Sequence, residues 1–206
     1  MADAIKFEFD EATHSYTVNG VRIPSVTQIL ESVGLVDYKD IPRAVLNYAA
    51  DRSIAVHTAT EFFDQNDLDF DSLDEQVAKY FVGWRNFRKD YRFEIIESEK
   101  MHVGELHGLK FGMRVDRLVK LGNGQNAVID IKCTSRVHPA YGIQTAGYVI
   151  GLGFGFPCNP LIARRFVVHL KPSGLYGLHE YKDPQDGEVF AAALRIAYWK
   201  NGGTTT

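Results

Sequence analysis

The 206-residue chain lacks the features that define several whole classes of protein. It has only two cysteines, Cys133 and Cys158, which are too few for a disulfide scaffold or a four-cysteine iron–sulfur cluster. No apolar run approaches the roughly 20 residues that a membrane-spanning helix needs, and the first residues lack the basic and then apolar pattern of a signal peptide. We therefore expect a reduced cytoplasmic protein with no membrane partner.

Motifs for several common chemistries are missing as well. No glycine-rich phosphate loop of the Walker type is present, so we expect no nucleotide cofactor. His102 and His107 do not have the spacing of a zinc protease, and no serine or cysteine nucleophile signature occurs. The net charge of −3 also provides no overall basic surface for gripping nucleic acid. Any nucleic-acid contact must therefore rely on local positive charge.

What the sequence does contain is enough apolar material for one core. With 45% hydrophobic residues and no repeat or linker, the chain is expected to form a single domain over 1–206. We predict an N-terminal β-hairpin within 1–24 and a core over 25–200. The predicted core elements are helices from Ser25 or Thr27 to Val33, from Pro42 to about Gln65 with a break near Asp51 to Ser53 left open, from Glu75 to Tyr91, around Gln144, and from Asp186 to Lys200, and strands at Phe93–Val103, Phe111–Leu121, Gln125–Lys132, Ala163–Leu170 and Tyr176–Tyr181.

The most informative segment is Asp130-Ile131-Lys132, together with Asp116 on the preceding predicted strand. The two strands, Phe111–Leu121 and Gln125–Lys132, are joined by a glycine-containing turn at 122–124. A hairpin folded about that turn places Asp116 roughly opposite Asp130. Lys132 shares a face with Asp130 because strand side chains alternate with a period of two. The pattern predicts two carboxylates and one lysine on one face.

These residue types suit metal-assisted hydrolysis of a phosphodiester. Carboxylate oxygens are hard ligands, which favour Mg²⁺ or Mn²⁺ over zinc. A nearby lysine can orient or deprotonate a water if burial shifts its pKa, or it can balance charge at the scissile phosphate. The alternative for the tripeptide taken alone is an ordinary salt bridge in a hairpin, since Asp-x-Lys is a common combination.

Two helical pairs lie on either side of this hairpin in the sequence. His57 and Glu61 are four residues apart upstream, and Gln144 and Tyr148 are four residues apart downstream, so each pair shares one helix face. With the hairpin, these blocks resemble the RecB-like branch of the PD-(D/E)XK nuclease superfamily, over roughly Pro24 to Ala193. The segments His14-Ser15-Tyr16 and Pro24-Ser25-Val26-Thr27 resemble phage and prophage nucleases of that branch.

The resemblance implies the fold class and most of the site. It implies an α/β (α+β) restriction-endonuclease-like core, with a mixed central β-sheet flanked by helices. By motif position, it implies metal ligands at Asp116, Asp130, the Ile131 carbonyl and His57, and a catalytic lysine at Lys132. Gln144 and Tyr148 then contact the substrate or brace the site. Glu61 either binds a second ion or holds His57 in place.

Arginines next to the predicted site residues are the candidate phosphate contacts. Arg117 adjoins Asp116, and Arg136 follows the Asp-x-Lys strand, so both are predicted to contact DNA. The cationic group from Arg85 to Arg92 is better explained as a solvated helix face. Glu99, on the strand before Asp116, could be a further acidic ligand, but a solvent-facing strand residue is the preferred interpretation.

The sequence as a whole favours a Mg²⁺- or Mn²⁺-dependent deoxyribonuclease with one or two ions and no iron–sulfur cluster. We expect an exonuclease acting on DNA in phage replication or recombination, encoded by a phage or prophage and located in the bacterial cytoplasm. A structure-specific endonuclease is the close alternative, and a non-catalytic nucleic-acid-binding subunit that keeps the fold is the other. Besides DNA, a single-strand annealing or recombination protein is a candidate partner, and an oligomer stays open.

Overall fold

The computed structural model describes residues 6–202, except positions 12 and 14. Within this part, the N-terminal segment forms a three-stranded antiparallel sheet of β1 (Phe7–Asp10), β2 (Ser15–Val18) and β3 (Val21–Ile23). The predicted hairpin is present but gains a third strand. The Asn19-Gly20 turn joins β2 to β3, and both residues have the positive φ, 51° and 79°, that a tight hairpin turn requires. His14, part of the segment that resembles phage nucleases, lies outside the described residues.

The central sheet has five strands in the order β4-β5-β6-β7-β8. They are β4 (Phe93–Leu106), β5 (Leu109–Leu121), β6 (Asn126–Lys132), β7 (Ala163–Leu170) and β8 (Tyr176–Tyr181). Neighbours are antiparallel except β6 and β7, which are parallel. That parallel pair needs a crossover, which contains α4 (Ala140–Gly151). The predicted mixed sheet is therefore confirmed.

Helices cover both faces of the sheet, as expected. The helices α1 (Val26–Ser32), α4 and α5 (Gln185–Lys200) form one core with apolar side chains of β5. The helices α2 (Arg43–Asp64) and α3 (Glu75–Asp90) form a second core against β6 and β7. Helix α2 runs without a break through 51–53. No described helix is both long and apolar enough to cross a membrane.

The cap of α1 and the packing of β2 on β5 fix the position of the small sheet against the large one. Ser25 caps α1 by accepting a hydrogen bond from the Gln28 amide, and the Gln28 side chain returns one to the Ser25 amide. The Gly112 amide donates to the Pro24 carbonyl at 2.9 Å. A Cβ at Gly112 would collide with the ring of Tyr16, so glycine allows β2 to pack directly on β5. The small sheet is therefore fixed close to the strand that carries Asp116.

Candidate metal centre

Asp116 and Asp130 face each other across β5 and β6. The ladder ends with the pair Arg117–Ile129, and continuing its register by one residue sets Asp116 opposite Asp130. Both carboxylates are buried. Asp116 is also tied to the neighbouring strand, because its Oδ2 accepts a hydrogen bond from the Ile131 amide at 2.6 Å. The hairpin thus brings the two carboxylates together, as the sequence pattern predicted.

Helix α2 adds His57 to this pair, and β4 adds Glu99. His57 Nδ1 lies 3.1 Å from Glu99 Oε1 and 3.6 Å from Asp116 Oδ1. One ligand atom from each of the three residues lies within 4.8 Å of the other two, so the cluster could hold a metal ion. His57 Nε2 lies 3.1 Å from the Ile131 carbonyl oxygen, so this carbonyl contacts the ring nitrogen opposite the one that faces the two carboxylates.

The donor set fits a divalent ion of the hard or borderline type. Two carboxylates are ligands typical of Mg²⁺ and Mn²⁺, and one imidazole suits Mn²⁺ better than Mg²⁺. A metal would have to compete with a proton on His57. Burial alone would lower the pKa of His57, but the Asp116 carboxylate and the hydrogen bond to Glu99 outweigh it and raise that pKa to about 9. The metal-free centre is therefore held together by an imidazolium.

Burial lowers the pKa of a histidine but raises that of a carboxylic acid, so it acts in the opposite direction on Asp116 and Glu99. It raises the pKa of Asp116 to about 7, against the attraction of the His57 cation. Burial would raise the pKa of Glu99 too, but the His57 hydrogen bond and the charges of Arg117 and Arg114 lower it below its ordinary value. Glu99 is therefore the firmly ionised carboxylate of the cluster.

Glu99 was expected to face solvent, and that interpretation is wrong. Its side chain is only 5% exposed, and it accepts contacts from Arg117 Nη1 at 3.2 Å and Arg114 Nε at 3.0 Å. The backbone of Glu99 has a φ of 47°, and β4 carries a register shift just before it, between Ile95 and Glu97. A non-glycine residue in this conformation costs roughly 1–2 kcal/mol. The ion pairs and the hydrogen bond from His57 oppose that cost.

Lys132 lies beside the cluster and is held by Asp130. Its Nζ is 2.9 Å from Asp130 Oδ1 and 2.7 Å from Oδ2, and it lies 5.1 Å from the centre of the Tyr141 ring. Burial alone would lower the pKa of Lys132, yet Asp130 and Asp116 raise it above its ordinary value. Of the roles open at the sequence level, balancing charge at a phosphate fits a lysine that keeps its proton.

The pair on α4 is also formed. Gln144 Nε2 donates to the Tyr148 hydroxyl at 2.8 Å, which confirms that the two residues share a helix face. Tyr148 is buried, and burial together with the charges of Asp130 and Asp116 raises its pKa well above the ordinary value. The hydroxyl therefore stays protonated next to the acidic cluster.

Two of the predicted site residues have partners other than those predicted for them. Arg117 was predicted to contact phosphate, but its side chain is 0% exposed, so this role is corrected to a structural one. Its guanidinium binds Asp64 at 2.8 Å and Glu99 at 3.2 Å, and lies 5.3 Å from the centre of the Trp84 ring. Glu61 lies 3.4 Å from the Gln65 amide on its own helix and is not a member of the His57 cluster.

Two exposed arginines lie on β5 or in the loop after β6. Arg136 is exposed in the loop after β6, where it was expected. Arg114, which sequence reasoning did not single out, is 45% exposed and ion-paired to Glu99, so it lies at the rim of the cluster. Its position two residues before Asp116, on an alternating strand, was the available signal.

Comparison with known proteins yields structural neighbours and no sequence match. No protein-family model and no curated protein sequence matches this chain. Among solved structures, the chain is similar to SSO0001, with 14% identity and a TM-score of 0.41 over 88% of this chain and 86% of that one. It is also similar to a protein from Eubacterium rectale described as a "Putative exonuclease", with 14% identity and a TM-score of 0.47 over 89% of this chain and 77% of that one. Similarity at these levels carries no activity with it.

Proposed function

We propose that this protein is a divalent-metal-dependent deoxyribonuclease of the RecB-like branch of the PD-(D/E)XK superfamily. The observation that carries the proposal is the convergence of His57, Glu99 and Asp116 beside the Asp130–Lys132 pair. Hard oxygen donors, one imidazole and one lysine held at a single buried spot are the groups that phosphodiester hydrolysis uses. A purely structural salt bridge would not require a third acidic residue in a left-handed conformation.

The proposal gives the residues two roles, metal binding and stabilisation of charge on the phosphate. His57, Glu99 and Asp116 would hold Mg²⁺ or Mn²⁺, with Asp130 and the Ile131 carbonyl beside them. When bound, the ion supplies Lewis-acid polarisation of a phosphoryl oxygen. Lys132, kept protonated by Asp130, places a positive charge where negative charge develops on the scissile phosphate.

The remaining polar groups position the substrate. Arg114 offers an exposed guanidinium beside Glu99, and Arg136 offers one on the loop after Lys132, so both are placed to contact the strand. Gln144 and Tyr148 support the site from α4. We favour an exonuclease over a structure-specific endonuclease, and action in phage replication or recombination is part of the same proposal.

The test compares linear and closed-circular DNA in Mn²⁺ or Mg²⁺, with the wild type, Lys132→Ala and the control Lys120→Ala, which removes an exposed lysine from β5. Degradation of linear DNA alone, lost in Lys132→Ala and kept in Lys120→Ala, would establish an exonuclease with this site. Cleavage of the circle would establish an endonuclease. If neither DNA is cut with either metal, the enzyme proposal fails and a binding subunit is the better account.

A further inference from the structure

Helix α5 presents an apolar stripe to solvent on the side opposite the core. Its inward face, which includes Phe190 and Leu194, is buried against α1, α4 and β5. On the outer face, apolar side chains recur at intervals of three, four and three residues, at Val189, Ala192, Ile196 and Trp199. All four are exposed, and Trp199 is 78% exposed. Helix α5 is therefore apolar on two faces, and the core of the described chain covers one of them.

The spacing of this outer stripe is that of a seam between paired helices. Apolar residues separated alternately by three and four positions occupy the a and d positions of a heptad, which pack into a facing helix. A helix that only covers a core needs one apolar face. Tryptophan is also one of the residue types most enriched at the energetic centres of protein interfaces. The outer stripe therefore indicates a helix from a second molecule as its partner.

The charges beside the outer stripe point to a second copy of this chain. Glu188 and Arg195 are seven residues apart, so they lie on the same flank of the stripe. Both are exposed, and neither forms an ion pair within the described part of the chain. On the opposite flank, Ala193 is buried and Lys200 is exposed. One flank thus carries both signs of charge and can complement itself.

Symmetry decides how two copies of α5 would pair. When the two helices are antiparallel, the two-fold axis crosses them, and each flank faces the same flank of the second copy. Glu188 then faces Arg195 of the second copy, and the same ion pair occurs twice. When the helices are parallel, opposite flanks meet, which sets Arg195 against Lys200 of the second copy. Like charges oppose that arrangement, so the charge pattern favours the antiparallel one.

We propose that this protein forms a two-fold symmetric dimer through the outer stripe of α5, with the two helices antiparallel. The proposal goes beyond the nuclease function and does not depend on it, because α5 carries no residue of the candidate metal centre. The stripe contributes four apolar side chains from each copy, which makes a small interface. Interfaces at the small end of the size range are typical of weak complexes, so the dimer should form and dissociate with concentration.

The association can be followed through Trp199 in the intact chain. The sequence has two tryptophans, and Trp84 is 0% exposed, so acrylamide quenching reports mainly on Trp199. Between about 1 and 300 µM protein, we expect sedimentation velocity to show a shift from monomer to dimer. Quenching of Trp199 should decrease in parallel. A monomer at every concentration, or a dimer in which Trp199 is quenched as in the monomer, would overturn the proposal.

A matched pair of variants locates the interface. Ile196→Glu places a charge in the outer stripe, and Ile54→Glu makes the same change at an exposed position of α2. We expect Ile196→Glu to raise the dimer Kd at least about tenfold, since burying an unpaired charge opposes association. Ile54→Glu should dimerise like the wild type. An effect of Ile54→Glu as large as that of Ile196→Glu would contradict an interface on α5. Circular dichroism checks that both variants are folded.

Charge exchange tests the antiparallel arrangement. Glu188→Arg makes the facing charges positive and Arg195→Glu makes them negative, so each variant alone should dimerise about three- to tenfold more weakly than the wild type. An equal mixture of the two variants restores opposite charges at both contacts and should associate with a Kd near that of the wild type. The double variant Glu188→Arg/Arg195→Glu should do the same. If the mixture and the double variant associate no more tightly than the single variants, the proposed pairing is wrong.

Discussion

His57 donates to Glu99 across the centre of the site, with 3.1 Å between Nδ1 and Oε1. The two residues come from α2 and β4, 42 positions apart, and each makes a second contact that fixes its orientation. The other nitrogen of His57 contacts the Ile131 carbonyl, and the other oxygen of Glu99 contacts Arg114. With its pKa raised to about 9, the protonated imidazole of His57 lies against the carboxylates of Glu99 and Asp116. Metal binding and proton release must be linked at this position.

Removing the charge of Glu99 should weaken metal binding more than any exposed acidic change on the same strand. Glu99→Gln deletes one ligand charge and leaves the guanidinium of Arg117 facing a neutral amide. We expect the Kd for Mn²⁺ to rise at least about tenfold and the pKa of His57 to fall. Isothermal titration and NMR titration of the imidazole measure the two effects. Glu94→Gln, exposed at the start of β4, is the control, and an equal effect in both variants would exclude Glu99 as a ligand.

Metal affinity should increase with pH through the neutral range. The pKa of His57 is raised to about 9 in the metal-free protein, so below that pH a metal must displace one proton from the imidazole. The Kd for Mn²⁺ should fall by up to about tenfold per pH unit between pH 7 and 8.5 and level off near pH 9. Electron paramagnetic resonance of free Mn²⁺ gives the Kd directly. A Kd independent of pH over this range would show that His57 is not a ligand.

The local part of the site could be predicted from the sequence. Asp116, Asp130 and Lys132 lie within 17 positions of one another, and one turn at 122–124 sets their register. Strand alternation then places Lys132 with Asp130. The Ser25 cap was likewise predictable, because its partner Gln28 is three residues away.

The rest depended on irregular or distant structure. The side-chain direction of Glu99 follows from a register shift and a φ of 47°, which the period of two cannot anticipate. Arg117 is buried because Asp64, 53 residues away, and Glu99, 18 residues away, both pair with it. Arg117 was predicted to bind phosphate because it adjoins Asp116 in the sequence. Its actual partners, Asp64 and Glu99, are distant in the sequence and could be known only from the fold.

Lys132 should matter for turnover but not for metal binding. Lys132→Met keeps an unbranched side chain one atom shorter and removes the cation that Asp130 holds. Loss of one electrostatic contact to the transition state costs on the order of 10²-fold in kcat, whereas the Kd for Mn²⁺ should stay the same or tighten because a competing cation is gone. Single-turnover hydrolysis and Mn²⁺ titration separate the two. A parallel loss of metal binding would mean that Lys132 organises the ligands and has no separate role at the phosphate.

Arg117 and Arg136 should differ in which property they control. Arg117→Met removes one of the two arginines that pair with the buried Asp64 carboxylate and leaves Arg88 and Trp84 as its partners. Breaking a buried charge pair typically costs about 3–5 kcal/mol, so urea unfolding should show a lower midpoint with a similar slope. Arg136→Ala, at an exposed loop position, should change the unfolding free energy by less than about 0.5 kcal/mol.

DNA binding completes the contrast between these two arginines. Binding by Arg136→Ala should weaken for all sequences alike, and the slope of log K against log salt should decrease by about one if Arg136 contacts a phosphate. Fluorescence anisotropy in EDTA, at several salt concentrations, measures this without cleavage. Arg117→Met, compared under conditions where it stays folded, should keep the wild-type salt slope, since a guanidinium with no exposed surface releases no counterion from DNA. A reduced slope in Arg117→Met with an unchanged slope in Arg136→Ala would reverse the assignment of the two arginines.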